Sequence, residues 1–193
     1  MKIGVLALQG AFIEHINMLQ DLCIEAVEVR TADELRELDG LIIPGGESTV
    51  ILKLLQDFGI YEVLKENIKN GMAVWGTCAG MIVLSDKILN QGRNPMNPLK
   101  AIDITTERNA FGRQMDSFSQ ELDFQGIDNK IQAVFIRAPR IVQVAKTVDI
   151  LCTLPDDTIV AAKQGKILVT SFHPELTADH SIHSYFCRMV EIT

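Results

Sequence analysis

Met72-Ala73-Val74-Trp75-Gly76-Thr77-Cys78-Ala79-Gly80-Met81-Ile82-Val83-Leu84 is the stretch from which the fold is read. Its first four residues form a short apolar run of the kind buried on both faces of a parallel sheet, and its last four continue as an apolar helix. Small residues flank the cysteine on both sides, as a strained strand-to-helix elbow requires if a side chain is to stand above the sheet. Ile3 to Leu8 and Leu41 to Ile43 are apolar runs of the same character. Between them, Phe12, Ile16, Leu19 and Leu22 repeat at helical spacing, so Ala11 to Cys23 reads as a crossover helix, with Val27 to Arg30 as the strand after it. Ser48 precedes a second periodic run with Gly59 at its C-terminal end, and Tyr61 to Asn70 forms a third that stops at Gly71.

Strand alternating with helix at this pace implies βαβ units and an open parallel sheet covered on both faces. The second half differs: Ala101 to Thr106, Gln132 to Ile136, Ile141 to Val144, Asp149 to Leu154 and Ile159 to Ala162 are strand-like runs separated by turns, which predicts antiparallel additions. Ile167 to Phe172 is the last strand and Asp179 to Val190 the closing helix, while Asn90 to Pro98 reads as a surface loop. Against a norm of roughly 150 residues per domain, a chain of 193 residues is expected to form one α/β domain over 1–193.

A formal net charge of −7, from 18 basic and 25 acidic side chains, lacks the basic footprint of a nucleic-acid binder. No run approaches the roughly 20 apolar residues of a membrane span, and the first apolar run is too short for a secretory signal. Cys23, Cys78, Cys152 and Cys187 show neither a CxxC pair nor zinc-ligand spacing, which suits reduced thiols in the cytoplasm.

The chemistry then centres on three segments. Cys78 at the elbow is the candidate nucleophile, because a helix N-terminus favours the thiolate form of a thiol placed there; a buried structural cysteine is the common fate of an isolated one. Ser171-Phe172-His173-Pro174-Glu175 follows the last strand. Pro174 biases His173 toward extended backbone, and residues two apart in such a segment share a side, so Glu175 is placed to orient the imidazole as a base for Cys78. Oxyanion donors are expected from the Ala79 N–H and from Gly46 in Pro44-Gly45-Gly46-Glu47-Ser48, a segment that alone also reads as a plain strand-to-helix turn.

Those three segments resemble the triad-type glutamine amidotransferases, whose sheet is flavodoxin-like. Residues 8–15 (LQGAFIEH), 44–49 (PGGEST), 107–114 (ERNAFGRQ), 134–139 (VFIRAP), 161–165 (AAKQG) and 171–177 (SFHPELT) are together similar to the glutaminase subunits of pyridoxal 5'-phosphate synthase complexes. The resemblance implies a three-layer flavodoxin-like fold and hydrolysis of L-glutamine through a Cys78 thioester, with His173 and Glu175 completing the triad. It also implies a glutamine pocket of Gly46, Glu47, Ser48, Arg108, Ile136 and Arg137, no cofactor, and a ring-forming synthase partner that takes the ammonia. An arginine suits the substrate carboxylate because its planar fork binds both oxygens, although the sequence alone reads Arg108 and Arg137 as surface charges.

Other readings remain at this point: a glutaminase serving a different synthase, or a noncatalytic flavodoxin-like protein of the stress and chaperone type. The latter group commonly has histidine directly after the elbow cysteine, where Ala79 stands here. An α/β-hydrolase would order its triad nucleophile, acid, histidine, unlike Cys78, His173, Glu175. His180 and His183 have no third ligand at suitable spacing, so no metal is expected. His15 reads as a residue of the helix surface or the pocket edge, and Trp75 as core.

Overall fold

The computed structural model describes residues 1–91, 95–108 and 117–192. In chain order these form β1 (Lys2–Leu6), α1 (Phe12–Asp21), β2 (Glu25–Val29), β3 (Gly40–Ile43), α2 (Ser48–Asp57), α3 (Ile60–Lys69), β4 (Ala73–Thr77) and α4 (Ala79–Leu84). The remainder comprises β5 (Ser85–Leu89), β6 (Ile102–Glu107), β7 (Ser117–Leu122), β8 (Ile131–Ile136), β9 (Arg140–Val144), β10 (Asp149–Thr153), β11 (Ile159–Gln164), β12 (Ile167–Thr170) and α5 (Ser181–Glu191), with short 3-10 turns at Asp33–Glu37 and Pro174–Leu176.

The main sheet runs β2-β1-β3-β4-β12-β11-β9-β6-β5, with β10 paired to β11. From β2 to β12 every pairing is parallel. Beyond β12 the strands β11, β9 and β6 follow one another antiparallel, and β5 joins β6 in parallel at the edge. This is the mixed sheet that the two halves of the sequence imply. β7 and β8 form a separate hairpin in which all six residue pairs are in register.

Alternate residues of the central strands feed two cores. Ile42, Trp75 and Leu168 point with Ile16 and Leu19 of α1 and Ile182 and Phe186 of α5 into one, which the β7–β8 hairpin extends through Ala133 and Phe135. Leu41, Ile43, Val74 and Val169 point into the other, against Ile51 and Leu55 of α2, Leu64 of α3 and Met81 of α4. Each large side chain so buried contributes about 1.5–3 kcal/mol relative to exposure. The strands are apolar on both faces because both faces are covered.

Glycine sets how closely α4 lies on this sheet. A Cβ on Gly80 would stand 2.1 Å from the Ile43 carbonyl oxygen, and one on Gly76 would stand 2.5 Å from the Gly80 backbone. Both obstacles are main chain and cannot swing aside. Gly80→Ala is therefore expected to lower the unfolding free energy by about 1–3 kcal/mol, read as a drop in the urea midpoint with the slope unchanged.

Several elements differ from the sequence reading. α2 is capped by Glu47 rather than Ser48, the Glu47 carboxylate accepting from the Thr49 N–H at 3.4 Å, and Ser48 is the first helical residue. Gly59 does end that helix, left-handed at φ 68°, and at once opens α3. The final strand stops at Thr170, two residues before Phe172, because the chain turns there into the site. β5 and β7 were unforeseen: Ser-Asp-Lys-Ile-Leu and Ser-Phe-Ser-Gln-Glu-Leu have weak intrinsic strand character and exist as strands through their partners β6 and β8. Within the Asn90 to Pro98 loop, residues 92–94 lie outside the described residues, as do 109–116 of the 107–114 motif.

Candidate active site

Four loops that leave the C-terminal ends of adjacent parallel strands converge on one cleft, the place where open α/β sheets bind ligands. They follow β1 (Gly10, Ala11), β3 (Gly45 to Ser48), β4 (Cys78, Ala79) and β12 (His173, Leu176), and the cleft of about 350 Å³ is closed by Arg108, Ile136, Arg137 and Pro139. Every residue that the sequence assigns to catalysis, oxyanion binding or substrate lines it except Glu175, which sits behind His173.

Cys78 occupies a conformation closed to most side chains, φ 49° and ψ −104°, between the last residue of β4 and the first of α4. Its N–H is fixed by the Thr170 carbonyl of the neighbouring strand at 2.8 Å, so the sheet itself holds the elbow. Cys78 is 7% exposed, and its Sγ lies 3.9 Å from the Ile136 carbonyl oxygen. Ala79 begins α4, so its N–H has no partner from the helix and is free for an oxyanion.

His173 Nδ1 meets Glu175 Oε1 at 2.7 Å, and both residues are buried. The route to this pairing differs from the expected extended segment: His173 has φ −109° and ψ 84°, and Glu175 already lies in the 3-10 turn Pro174–Leu176. The turn, with Pro174 at its start, brings the carboxylate back onto the imidazole. The His173 N–H donates to the Val134 carbonyl at 2.8 Å, which ties the β7–β8 hairpin to the loop that carries His173. On the other side, a Cβ on Gly45 would lie 2.4 Å from His173 Cε1, so glycine there lets the turn after β3 pack on the ring.

Burial disfavours charge on His173, but hydrogen bonding to Cys78 and Glu175 and the negative charge of both outweigh it, raising its pKa from 6.5 to about 10. Glu175 moves down: burial pushes against this, and His15 and His173 overcome it. The carboxylate and imidazolium forms are thus mutually supporting.

Around the cleft, Gln9 Oε1 accepts the Glu47 N–H at 2.8 Å, and a Cβ on Gly46 would stand 2.4 Å from the same oxygen. Gln9 therefore shapes the turn that carries Gly46. Glu47 Oε1 pairs with Arg108 Nη2 at 2.9 Å, an anion and a cation side by side at the mouth. Ser48 is buried with its hydroxyl toward Met96 Sδ at 3.7 Å. Arg137 is exposed and left-handed at φ 44°, directly after the 40%-exposed Ile136.

Residues 5–192 match the SNO glutamine amidotransferase family. The chain belongs to that family. It is 55% identical over 192 residues to the pyridoxal 5'-phosphate synthase subunit PdxT of Dehalococcoides mccartyi, covering 99% of this chain and 98% of that one. The subunit of the same name from Corynebacterium jeikeium is 51% identical over 191 residues, covering 99% and 97%. A crystal structure of a glutamine amidotransferase superposes with a TM-score of 0.93 at 43% identity, covering 100% of both chains.

The amidotransferase site also holds residues that the sequence reading did not place. His15 is fully buried, neither on the helix surface nor at the pocket edge, because the inner face of α1 turns it under the sheet ends toward Glu175. His183 points from α5 into the core to meet it, whereas His180 lies on Asp21 at 3.1 Å. The two helical histidines thus face different partners, and among the described residues no cluster could hold a metal ion. Gln9 and His15 both fall in the 8–15 segment that carries the resemblance, but no local pattern marks either side chain.

Proposed function

We propose that the chain hydrolyses L-glutamine to L-glutamate and ammonia and delivers the ammonia to a pyridoxal 5'-phosphate synthase partner. The observation that carries this is that Cys78 and His173 line one cleft with Glu175 bonded behind His173, in a chain 55% identical over 192 residues to a synthase subunit. The Cys78 thiolate attacks the amide carbon, and the oxyanion is received by the Ala79 N–H and the Gly46 peptide. The His173 imidazolium protonates the departing nitrogen, and ammonia leaves. Neutral His173 then takes a proton from water as it attacks the thioester, which expels the Cys78 thiolate, releases glutamate and restores the thiolate and imidazolium forms. Neither step consumes a cofactor.

The ion pair of Glu47 and Arg108 suits the two charges of the amino acid end of glutamine: ammonium toward Glu47, carboxylate toward Arg108. Ile136, Arg137 and Ser48 line the same cleft. Arg108→Ala is expected to raise the KM for glutamine about 10- to 100-fold with kcat nearly unchanged. An unchanged KM removes Arg108 from the pocket.

The domain is taken to span 1–193 as one unit, with a ring-forming synthase as host. The absence, among the described residues, of a helix long and apolar enough to cross a membrane agrees with a cytoplasmic setting. The deciding experiment mixes the chain with the synthase, ribose 5-phosphate and glyceraldehyde 3-phosphate. Pyridoxal 5'-phosphate should form with glutamine, and the Cys78→Ala variant should support its formation only when an ammonium salt replaces glutamine. Failure to release glutamate in the presence of synthase overturns the reading.

A further inference from the structure

Glu175 has two carboxylate oxygens, and the triad uses one. Oε1 serves His173; Oε2 is buried and makes no well-formed hydrogen bond among the described residues, yet His15 Nε2 stands 3.4 Å from it. His15 is held in turn: its Nδ1 lies 2.9 Å from His183 Nε2, its Nε2 lies 3.3 Å from Thr77 Oγ1, and its ring meets Trp75 edge-on at 5.4 Å. His183 packs on the same indole at 4.9 Å. The hydrolysis as derived above makes no use of either histidine.

The proton positions follow from this geometry. A bare ring nitrogen facing a carboxylate oxygen is repelled, so a neutral His15 carries its proton on Nε2. Nδ1 is then an acceptor, filled by His183 Nε2–H. This leaves His183 Nδ1 as a bare acceptor, and it is the buried ring nitrogen without a partner. The opposite tautomers would strand an N–H donor there and turn a lone pair toward Glu175. Burial lowers the pKa of both rings, on His15 against the pull of Glu175 and on His183 with the help of its histidine neighbours, and so favours their neutral forms.

Resting on the glutaminase reading, we infer that His15, oriented by His183 and by the Nε2 contact to Thr77 Oγ1, is a positioning residue whose Nε2–H edge stands 3.4 Å from Glu175 Oε2 and so favours the carboxylate orientation that keeps Oε1 on His173. The line Cys78, His173, Glu175, His15, His183 then runs from the cleft to α5. A carboxylate bonded through Oε1 and faced by an N–H edge at Oε2 is biased against rotating away as charge develops on His173 in the transition state. The contribution belongs to kcat, because neither histidine lines the cleft.

The test uses the full chain with its synthase partner. His15→Leu is expected to lower kcat on the order of 10-fold with an unchanged KM. His15→Gln, whose amide N–H reaches toward the Nε2 position, should recover part of the loss. In a Glu175→Gln background His15→Leu should cost little more, since the charge it serves is gone. Alkylation of Cys78 by iodoacetamide, followed by mass spectrometry of the Cys78 peptide, should slow in His15→Leu and recover in His15→Gln; this readout needs no glutamine. Should His15→Leu fail to fold, His183→Phe decides, with a smaller fall in kcat of roughly 3-fold expected. Parental kcat and alkylation rate in a folded His15→Leu, a loss carried by KM, no recovery with Gln, or losses that add would each overturn the role. A parent chain that releases no glutamate while His15 still governs Cys78 alkylation would overturn the glutaminase reading alone.

Discussion

Cys78→Ala is expected to abolish glutamine hydrolysis, lowering kcat by at least ~10⁴-fold, the scale on which removal of a covalent nucleophile acts. The fold should survive, because Sγ contributes little packing at the floor of an open cleft and the elbow is held by the Cys78 N–H to Thr170 bond rather than by the side chain. Alanine at φ 49° carries the same Cβ strain that cysteine already bears, so the melting temperature should stay within a few degrees. The measurement is glutamate release with synthase present, alongside thermal unfolding. Cys23, Cys152 and Cys187 lie outside the cleft, and burial pushes the thiols of Cys152 and Cys187 up to about 12 and about 11. Cys152 and Cys187 are therefore poor nucleophiles near neutral pH. Ammonia release persisting in Cys78→Ala, or lost on replacing one of the other three without unfolding, assigns the reaction elsewhere.

The second large effect is at His173. His173→Ala removes the acid for ammonia departure and the base for thioester hydrolysis, and should lower kcat by roughly 10³- to 10⁵-fold. Glu175→Gln keeps the shape of the acid and removes its charge, so its penalty should be smaller, on the order of 10- to 10³-fold, since a thiol depends less on a strong base than a serine hydroxyl does. A Glu175→Gln enzyme as fast as the parent would reduce Glu175 to a structural neighbour. The same pair also sets a pH dependence. The folded His173 titrates near 10 against an ordinary 6.5, so its contribution to stability is fully present below 6.5 and is lost as the pH rises through about 10. Urea unfolding of the parent and of His173→Ala should therefore show the parent losing stability relative to the variant between pH 7 and 10. A constant difference across that window means the imidazolium is not favoured in the folded state.

Some of this was legible locally. The runs at Ile3, Leu41 and Met72 mark strands because burial on both faces requires continuous apolar sequence, and the small residues around Cys78 mark the elbow because no larger ones fit between α4 and β3. The order of helices and strands in the first half follows from the same periodicity. The pairing of His173 with Glu175 was also read correctly, although a 3-10 turn produces it rather than an extended chain.

What the chain order could not supply is contact between distant segments. β5 and β7 are polar enough that only pairing with β6 and β8 makes them strands. The Glu47–Arg108 ion pair bridges 61 positions, and the His15–His183 contact bridges 168. Periodicity assigns a residue to a face of its own helix but does not say what the fold brings against that face. His15 sits on the inner side of α1 among residues that read simply as core, and only when α5 and the turn after β12 close over it does its ring meet a carboxylate. The sequence thus determined the parallel half of the sheet, the elbow and the cysteine that stands on it, because these depend on hydrophobic burial and backbone sterics within a few residues. The tertiary structure alone decided which buried polar groups stand behind Glu175, because a hydrogen bond needs its two atoms within about 3 Å, a condition set by the packing of whole layers.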